Sequence, residues 1–181
     1  MMSSTVKKIA LTGAPGVGKT TICEQLVDEI PGAGGIITAE QRDERGLRNG
    51  FILRDVYSGN TGTLAHTDIN SGPKVGKYGI DVKESEAVMV PALEYALESA
   101  KWIILDEVGP MELKLNSFLP LARRVLKCNK PVILTYQQKL WGGIVEEIKR
   151  MCQVEVITNE NRDEMAEHLK NSLGPLVRDA G

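Results

Sequence analysis

The run Gly13-Ala14-Pro15-Gly16-Val17-Gly18-Lys19-Thr20 constrains this chain more than any other stretch, because it follows G-x-x-x-x-G-K-[ST]. Lys8-Ile9-Ala10-Leu11-Thr12 before it is a short apolar segment that reads as a buried strand. Thr20 to Val27 after it reads as a helix, with Ile22, Leu26 and Val27 on one face. A strand, a glycine loop and a helix start in that order form a nest of backbone N–H groups. The positive end of the helix dipole is aimed into the same nest. Gly13, Gly16 and Gly18 permit dihedrals that a side chain forbids and let the backbone approach an anion. The expected phosphate-binding set is therefore Gly13, Ala14, Pro15, Gly16, Val17, Gly18, Lys19, Thr20 and Thr21. In it Lys19 reaches the β- and γ-phosphates, and the Thr20 hydroxyl ligates a magnesium ion.

Downstream, the pattern alternates apolar strands with amphipathic helices. Pro31 to Gly35 is a breaker, and Gly35 to Thr38 a short strand. Ala39 to Asn49 is a polar stretch carrying Arg42, Arg45 and Arg48. Phe51 to Val56 and Thr63 to His66 read as a hairpin around the turn Ser58-Gly59-Asn60-Thr61-Gly62. Residues 35–66 are thus expected to form a small antiparallel ribbon inserted after the first strand–helix unit. Residues 67–79 read as an ordered surface loop, and Ile80-Asp81-Val82 as one more short strand. Helices are expected over Pro91 to Ala100, with Pro91 at the first position, over Leu113 to Lys127 with a break at Pro120, over Trp141 to Met151, and over Asn161 to Leu173. Lys101 to Asp106, Pro131 to Thr135 and Val154 to Thr158 read as strands, the first two apolar enough for a parallel sheet. The expected fold is a doubly wound, mostly parallel α/β sheet of the phosphate-loop type, with helices on both faces. At 181 residues it fits one domain spanning 1–181.

A second motif adds chemistry to the phosphate loop. Ile103-Ile104-Leu105-Asp106-Glu107 is an apolar strand ending in acids, the Walker B pattern. In open α/β sheets ligands sit beyond the carboxyl ends of the strands, where both motifs end. Asp106 is the expected partner of Thr20 at magnesium, holding the ion through a water. Glu107, pointing to the other face if strand geometry persists, is the expected base that activates a water against the γ-phosphate. Lys19 and Glu107 are then the catalytic pair, with Asp106 and Glu107 also in the nucleotide site.

Together these motifs resemble the small nucleoside-triphosphatase family that includes the human cancer-related nucleoside-triphosphatase and its thermophile relatives. The resemblance rests on Gly13 to Thr20, Gly72 to Gly79, Pro91-Ala92-Leu93, Leu105 to Leu113 and Thr158 to Asp163, in the family's order over most of the chain. The first run is shared by thousands of proteins, whereas Gly72 to Gly79 and Leu105 to Leu113 are more particular. It implies magnesium-dependent hydrolysis of nucleoside 5′-triphosphates, ATP and GTP among them, to diphosphate and phosphate, slowly and with broad base tolerance. One departure stands out. The family pattern places a His-Arg-type stretch after the strand matching Val132 to Thr135, and here Tyr136-Gln137-Gln138-Lys139 stands there. The charge at the γ-phosphate then comes from Lys139 or elsewhere, or Gln137 orients the attacking water.

Composition narrows the remaining classes. A net charge of −2 and 4% aromatics give no basic or stacking surface for nucleic acid. Apolar runs fall well short of the roughly 20 residues that span a bilayer. Met1 to Thr5 leads straight into a strand, so no secretory leader is expected. Cys23, Cys128 and Cys152, odd in number and without metal-ligand spacing, read as reduced thiols of a cytoplasmic protein. Arg42, Arg45, Arg48, Lys74 and Lys77 are candidate cations for the nucleotide mouth. Thr158-Asn159 is a candidate base contact or helix cap, Trp141 a candidate base cover or core residue, and His66 and His168 are structural. Two further functions share this loop and size: a small nucleoside or nucleotide kinase, and a binding module gated by nucleotide.

Overall fold

The computed structural model describes residues 7–178, so Met1 to Thr5, on which the absence of a leader was read, lies outside the described residues. Among them runs one nine-stranded sheet. The strands are β1 (Lys8–Gly13), β2 (Ala33–Arg42), β3 (Arg48–Asp55), β4 (Thr61–His66), β5 (Lys74–Val75), β6 (Tyr78–Ile80), β7 (Trp102–Val108), β8 (Val132–Tyr136) and β9 (Gln153–Ile157). Their order across the sheet is β5-β6-β4-β3-β2-β7-β8-β1-β9. The stretch from β2 to β9 is parallel, and the stretch from β5 to β2 antiparallel.

Alternation along the parallel strands feeds two apolar layers, as side chains one residue apart point to opposite faces. Ile103 and Leu105 of β7 pack with Met89, Leu93, Phe118, Val125 and Ile148 on one face. Trp102 and Ile104 pack with Ile22, Leu26, Leu169 and Leu173 on the other. The first face is covered by α2 (Val82–Glu98), α3 (Phe118–Lys127) and α4 (Gly143–Met151). The second is covered by α1 (Lys19–Glu29) and α5 (Arg162–Arg178). Helices on both faces of a parallel sheet are the doubly wound arrangement expected from sequence.

The antiparallel ribbon expected after the first strand–helix unit is present and continues the same sheet. β2 pairs in parallel with β7 up to Ile37↔Asp106, then runs on to Arg42 paired with β3. The polar stretch after Thr38 is therefore mostly strand: its charges alternate onto an exposed surface that the apolar pattern could not reveal. Residues 67–79 hold the β5–β6 hairpin, and Tyr78–Ile80 takes the place expected of Ile80-Asp81-Val82. Asp81 instead caps α2, its side chain accepting from the Glu84 amide at 2.9 Å.

Four of the expected helices differ at their boundaries. Pro91 lies inside α2 rather than at its start. An interior proline costs about 3 kcal/mol, and burial of Met89, Ala92, Leu93 and Ala96 along one face carries the helix through it. Leu113 to Lys127 divides into the 3₁₀ turn Glu112–Lys114 and α3, with Pro120 third in the helix, where no amide partner is required. α4 starts at Gly143, and Trp141 before it is 87% exposed, not core. α5 runs on past Leu173 to Arg178, through Pro175.

Candidate functional site

At the carboxyl end of β1 the chain turns over Gly13 to Gly18 and enters α1 at Lys19. Three left-handed glycines shape the turn, Gly13 at φ 148°, Gly16 at 75° and Gly18 at 109°. A β-carbon on Gly13 would collide with the Ile157 carbonyl, so the end of β9 is pressed against the loop. Ala14, Pro15 and Gly16 form an exposed crest, whereas Val17 is buried. Lys19, 9% exposed, folds beneath that crest and donates to the carbonyls of Gly13 (3.1 Å) and Ala14 (3.2 Å). Its charge is thus held at the Gly13–Ala14 end of the loop.

The sheet order puts β8 between the loop strand β1 and the acid strand β7. Asp106 spans the gap. Thr20 donates its hydroxyl to Asp106 Oδ2 at 2.8 Å, and Thr135 of β8 donates to Oδ1 at 2.5 Å. These bonds oppose but do not cancel burial, which pushes the Asp106 carboxyl, 1% exposed, up to about 6.

Glu107 and Glu112 complete an acidic wall. Glu107 accepts from the Gln137 amide at 2.9 Å, and burial raises its carboxyl above the usual range despite that bond and nearby Lys19. Glu112, 2% exposed, is pushed well up by burial and by the Glu107 charge, and accepts from Thr38 of β2 at 3.3 Å. The wall converges on Gly109. A β-carbon there would lie 2.8 Å from Glu112 Oε2, 3.1 Å from Glu107 Oε1 and 3.2 Å from Gln137 Nε2. Only a residue without a side chain leaves these three groups their space.

Most of the cations singled out in the sequence are engaged on the ribbon. Arg42 and Arg48 both grip Glu40, at 2.6 and 2.8 Å, and Arg48 also reaches the Tyr78 hydroxyl at 3.2 Å. Lys77 stands over the Tyr78 ring, 5.3 Å from its centroid. Thr158 and Asn161 tie the β9–α5 turn together: the Thr158 amide donates to Asn161 Oδ1 at 2.8 Å and the Asn161 amide to Thr158 Oγ1 at 3.3 Å.

Thr38, Thr135 and Arg162 belong at this site but were not singled out by sequence. The two threonines each follow an apolar run within their strand, a signal as plain in the sequence as the acids after Leu105. Arg162 opens α5, and its Cδ would lie 3.5 Å from a β-carbon on Gly18. Only the fold brings it there.

Comparison with known proteins agrees with the fold. A family model described as NTPase matches residues 8–170. The nucleoside-triphosphatase THEP1 of Thermofilum pendens is 39% identical over 94% of this chain and 97% of its own length. That of Methanosarcina acetivorans is 37% identical over 91% and 95%. Among solved structures, the crystal structure of THEP1 from Aquifex aeolicus superposes with a TM-score of 0.83 at 34% identity, covering 92% of this chain and 98% of that one. The solution structure of a human cancer-related nucleoside triphosphatase does so at 0.75 and 28% identity, covering 94% and 98%.

Proposed function

The chain belongs to the nucleoside-triphosphatase family of hydrolases acting on phosphoric anhydrides, and from that premise we propose that it hydrolyses ATP, GTP and other nucleoside 5′-triphosphates to diphosphate and phosphate, with magnesium. The observation that carries the reading is the 2.8 Å bond between the last residue of the phosphate loop, Thr20, and Asp106, with Glu107 next in the chain. It joins an anion-binding nest to a pair of acids at the carboxyl end of the sheet.

In this reading the backbone N–H groups that the run from Gly13 to Thr21 carries, Pro15 having none, hold the phosphates, and Lys19 swings from the Gly13 and Ala14 carbonyls onto the β- and γ-phosphate oxygens. Thr20 and Asp106 fit magnesium: both offer hard oxygen donors, and two protein ligands leave room for water and phosphate oxygens. When bound, the ion neutralises charge on the phosphates. Gln137, between loop and wall, positions the attacking water, and Glu107 takes its proton. The water oxygen bonds to the γ-phosphorus, the bond from that phosphorus to the bridging oxygen breaks, and the diphosphate leaves with the electron pair. A base whose proton affinity is raised by burial suits that transfer near neutral pH. We take the chain to act as one domain, and its three free cysteines support a reducing, cytoplasmic setting.

The test is phosphate release from ATP, GTP, CTP and UTP with magnesium and no second substrate. Release from each nucleotide is expected. Release that begins only on adding a nucleoside would transfer the assignment to a kinase.

A further inference from the structure

The polarity of the site along the phosphate chain follows from its own geometry. Lys19 is held at the Gly13–Ala14 end of the loop, and Thr20, Asp106, Glu107 and Gln137 lie on the β7–β8 side of β1. A triphosphate in the nest therefore has its γ end on that side. Its α-phosphate and nucleoside must leave toward the other side, where β9 and the start of α5 stand.

The side chain found there is Arg162. Its aliphatic stem rests against Gly18, with Cδ 3.5 Å from where a β-carbon would be. Its guanidinium has only a loose partner, Asp163 at 3.6 Å, whose own side chain is almost fully exposed. The turn beneath it is fixed by the Thr158–Asn161 bonds and by Asn161 Nδ2 donating to the Val156 carbonyl at 2.9 Å. The polar groups of Thr158 and Asn161 are spent within the turn, so they are poor readers of a base edge. What the turn offers instead is a planar cation on a rigid base, beside the exit of the phosphate loop.

Resting on the hydrolase reading above, we propose that Arg162 is the nucleoside platform of this site: its guanidinium stacks on the face of the base. Guanidinium planes stack on aromatic rings, and every base has a π-face, so such a platform holds all bases while gripping the larger purines hardest. Broad base tolerance is then a consequence of reading the face rather than the edge. Trp141 is the rival aromatic, but it follows β8 on the γ side of the loop.

The experiment compares wild type, Arg162→Ala and Arg162→Lys on ATP, GTP, CTP, UTP and inorganic tripolyphosphate, which has no base, with thermal midpoints recorded alongside. Loss of a base stack is expected to raise KM for ATP and GTP by about 10-fold, less for CTP and UTP, and not for tripolyphosphate. The kcat values should stay near wild type. Lysine, which keeps the charge but not the plane, should recover little of the purine KM. An equal loss on all five substrates, full recovery by lysine, or unchanged KM values would each overturn the platform. If Arg162→Ala fails to fold, Arg162→Lys alone decides: a wild-type purine KM in it also overturns the proposal. Absence of phosphate release from any nucleotide by the wild type would instead strike the hydrolase reading.

Discussion

The phosphate loop and the acidic wall face each other across β8, and they are stabilised in opposite ways. The loop is self-satisfied. Its positive groups are backbone amides and one lysine, and that lysine already donates to two carbonyls of the same turn. The wall is tense. Asp106, Glu107 and Glu112 bring three carboxyls together, and burial raises the proton affinity of each. Their partners are three threonines and a glutamine, which hydrogen-bond but carry no charge. One half of the site waits for an anion and the other for a cation. In the proposed function a magnesium nucleotide would supply both, so its binding would relieve the wall while filling the loop.

Breaking the loop half should have the larger effect. Lys19→Ala removes the charge that crosses from loop to phosphate. By analogy with deleting one preorganised donor to a developing anion, turnover should fall by about 10³-fold, with weaker nucleotide binding by titration. Wild-type turnover in that variant would refute the phosphate-loop assignment.

Relaxing the wall half should have a smaller effect, and on stability that effect should be a gain. An unfolded aspartate titrates near 3.9, whereas Asp106 in the fold titrates at about 6. Between those values the folded chain binds more protons than the unfolded one, so stability falls as pH rises from about 4 to about 6. Above that window the deficit is fully present, at about 3 kcal/mol for two units of difference. Asp106→Asn is therefore expected to raise the thermal midpoint of the nucleotide-free protein at pH 7.5, and to narrow its difference from the midpoint at pH 5.5. It should also abolish stabilisation by magnesium nucleotide. A lower midpoint at pH 7.5 would mean that the wall is not strained by its charge.

The same contrast explains what was legible in the sequence. The loop is built from consecutive residues, and its glycines, lysine and threonine announce both its geometry and its ligand; the left-handed dihedrals at Gly13, Gly16 and Gly18 follow directly. The parallel strands were equally plain, because burial on both faces leaves unbroken apolar runs such as Trp102 to Leu105. The wall is assembled from β2, the stretch from β7 into the 3₁₀ turn, and β8, segments tens of residues apart, so Thr38 and Thr135 had no local signature beyond their place after an apolar run. Arg162 lies further still in sequence from the Gly18 it touches. Pro91 misled for a related reason: local preference put it at a helix start, and tertiary burial of Met89 and Leu93 overrode that preference. Trp141 misled in the reverse direction, an aromatic beside a helix start that the fold leaves in solvent.

In the proposed function one half of the site holds the nucleotide and the other performs the hydrolysis. Glu107→Gln tests that division most directly, because the amide keeps the size of the side chain but cannot take a proton. Magnesium-nucleotide binding should stay near wild type by titration, while single-turnover phosphate release falls by about 10²-fold or more. Hydrolysis at the parental rate would show that Glu107 is not the base and would contradict the account.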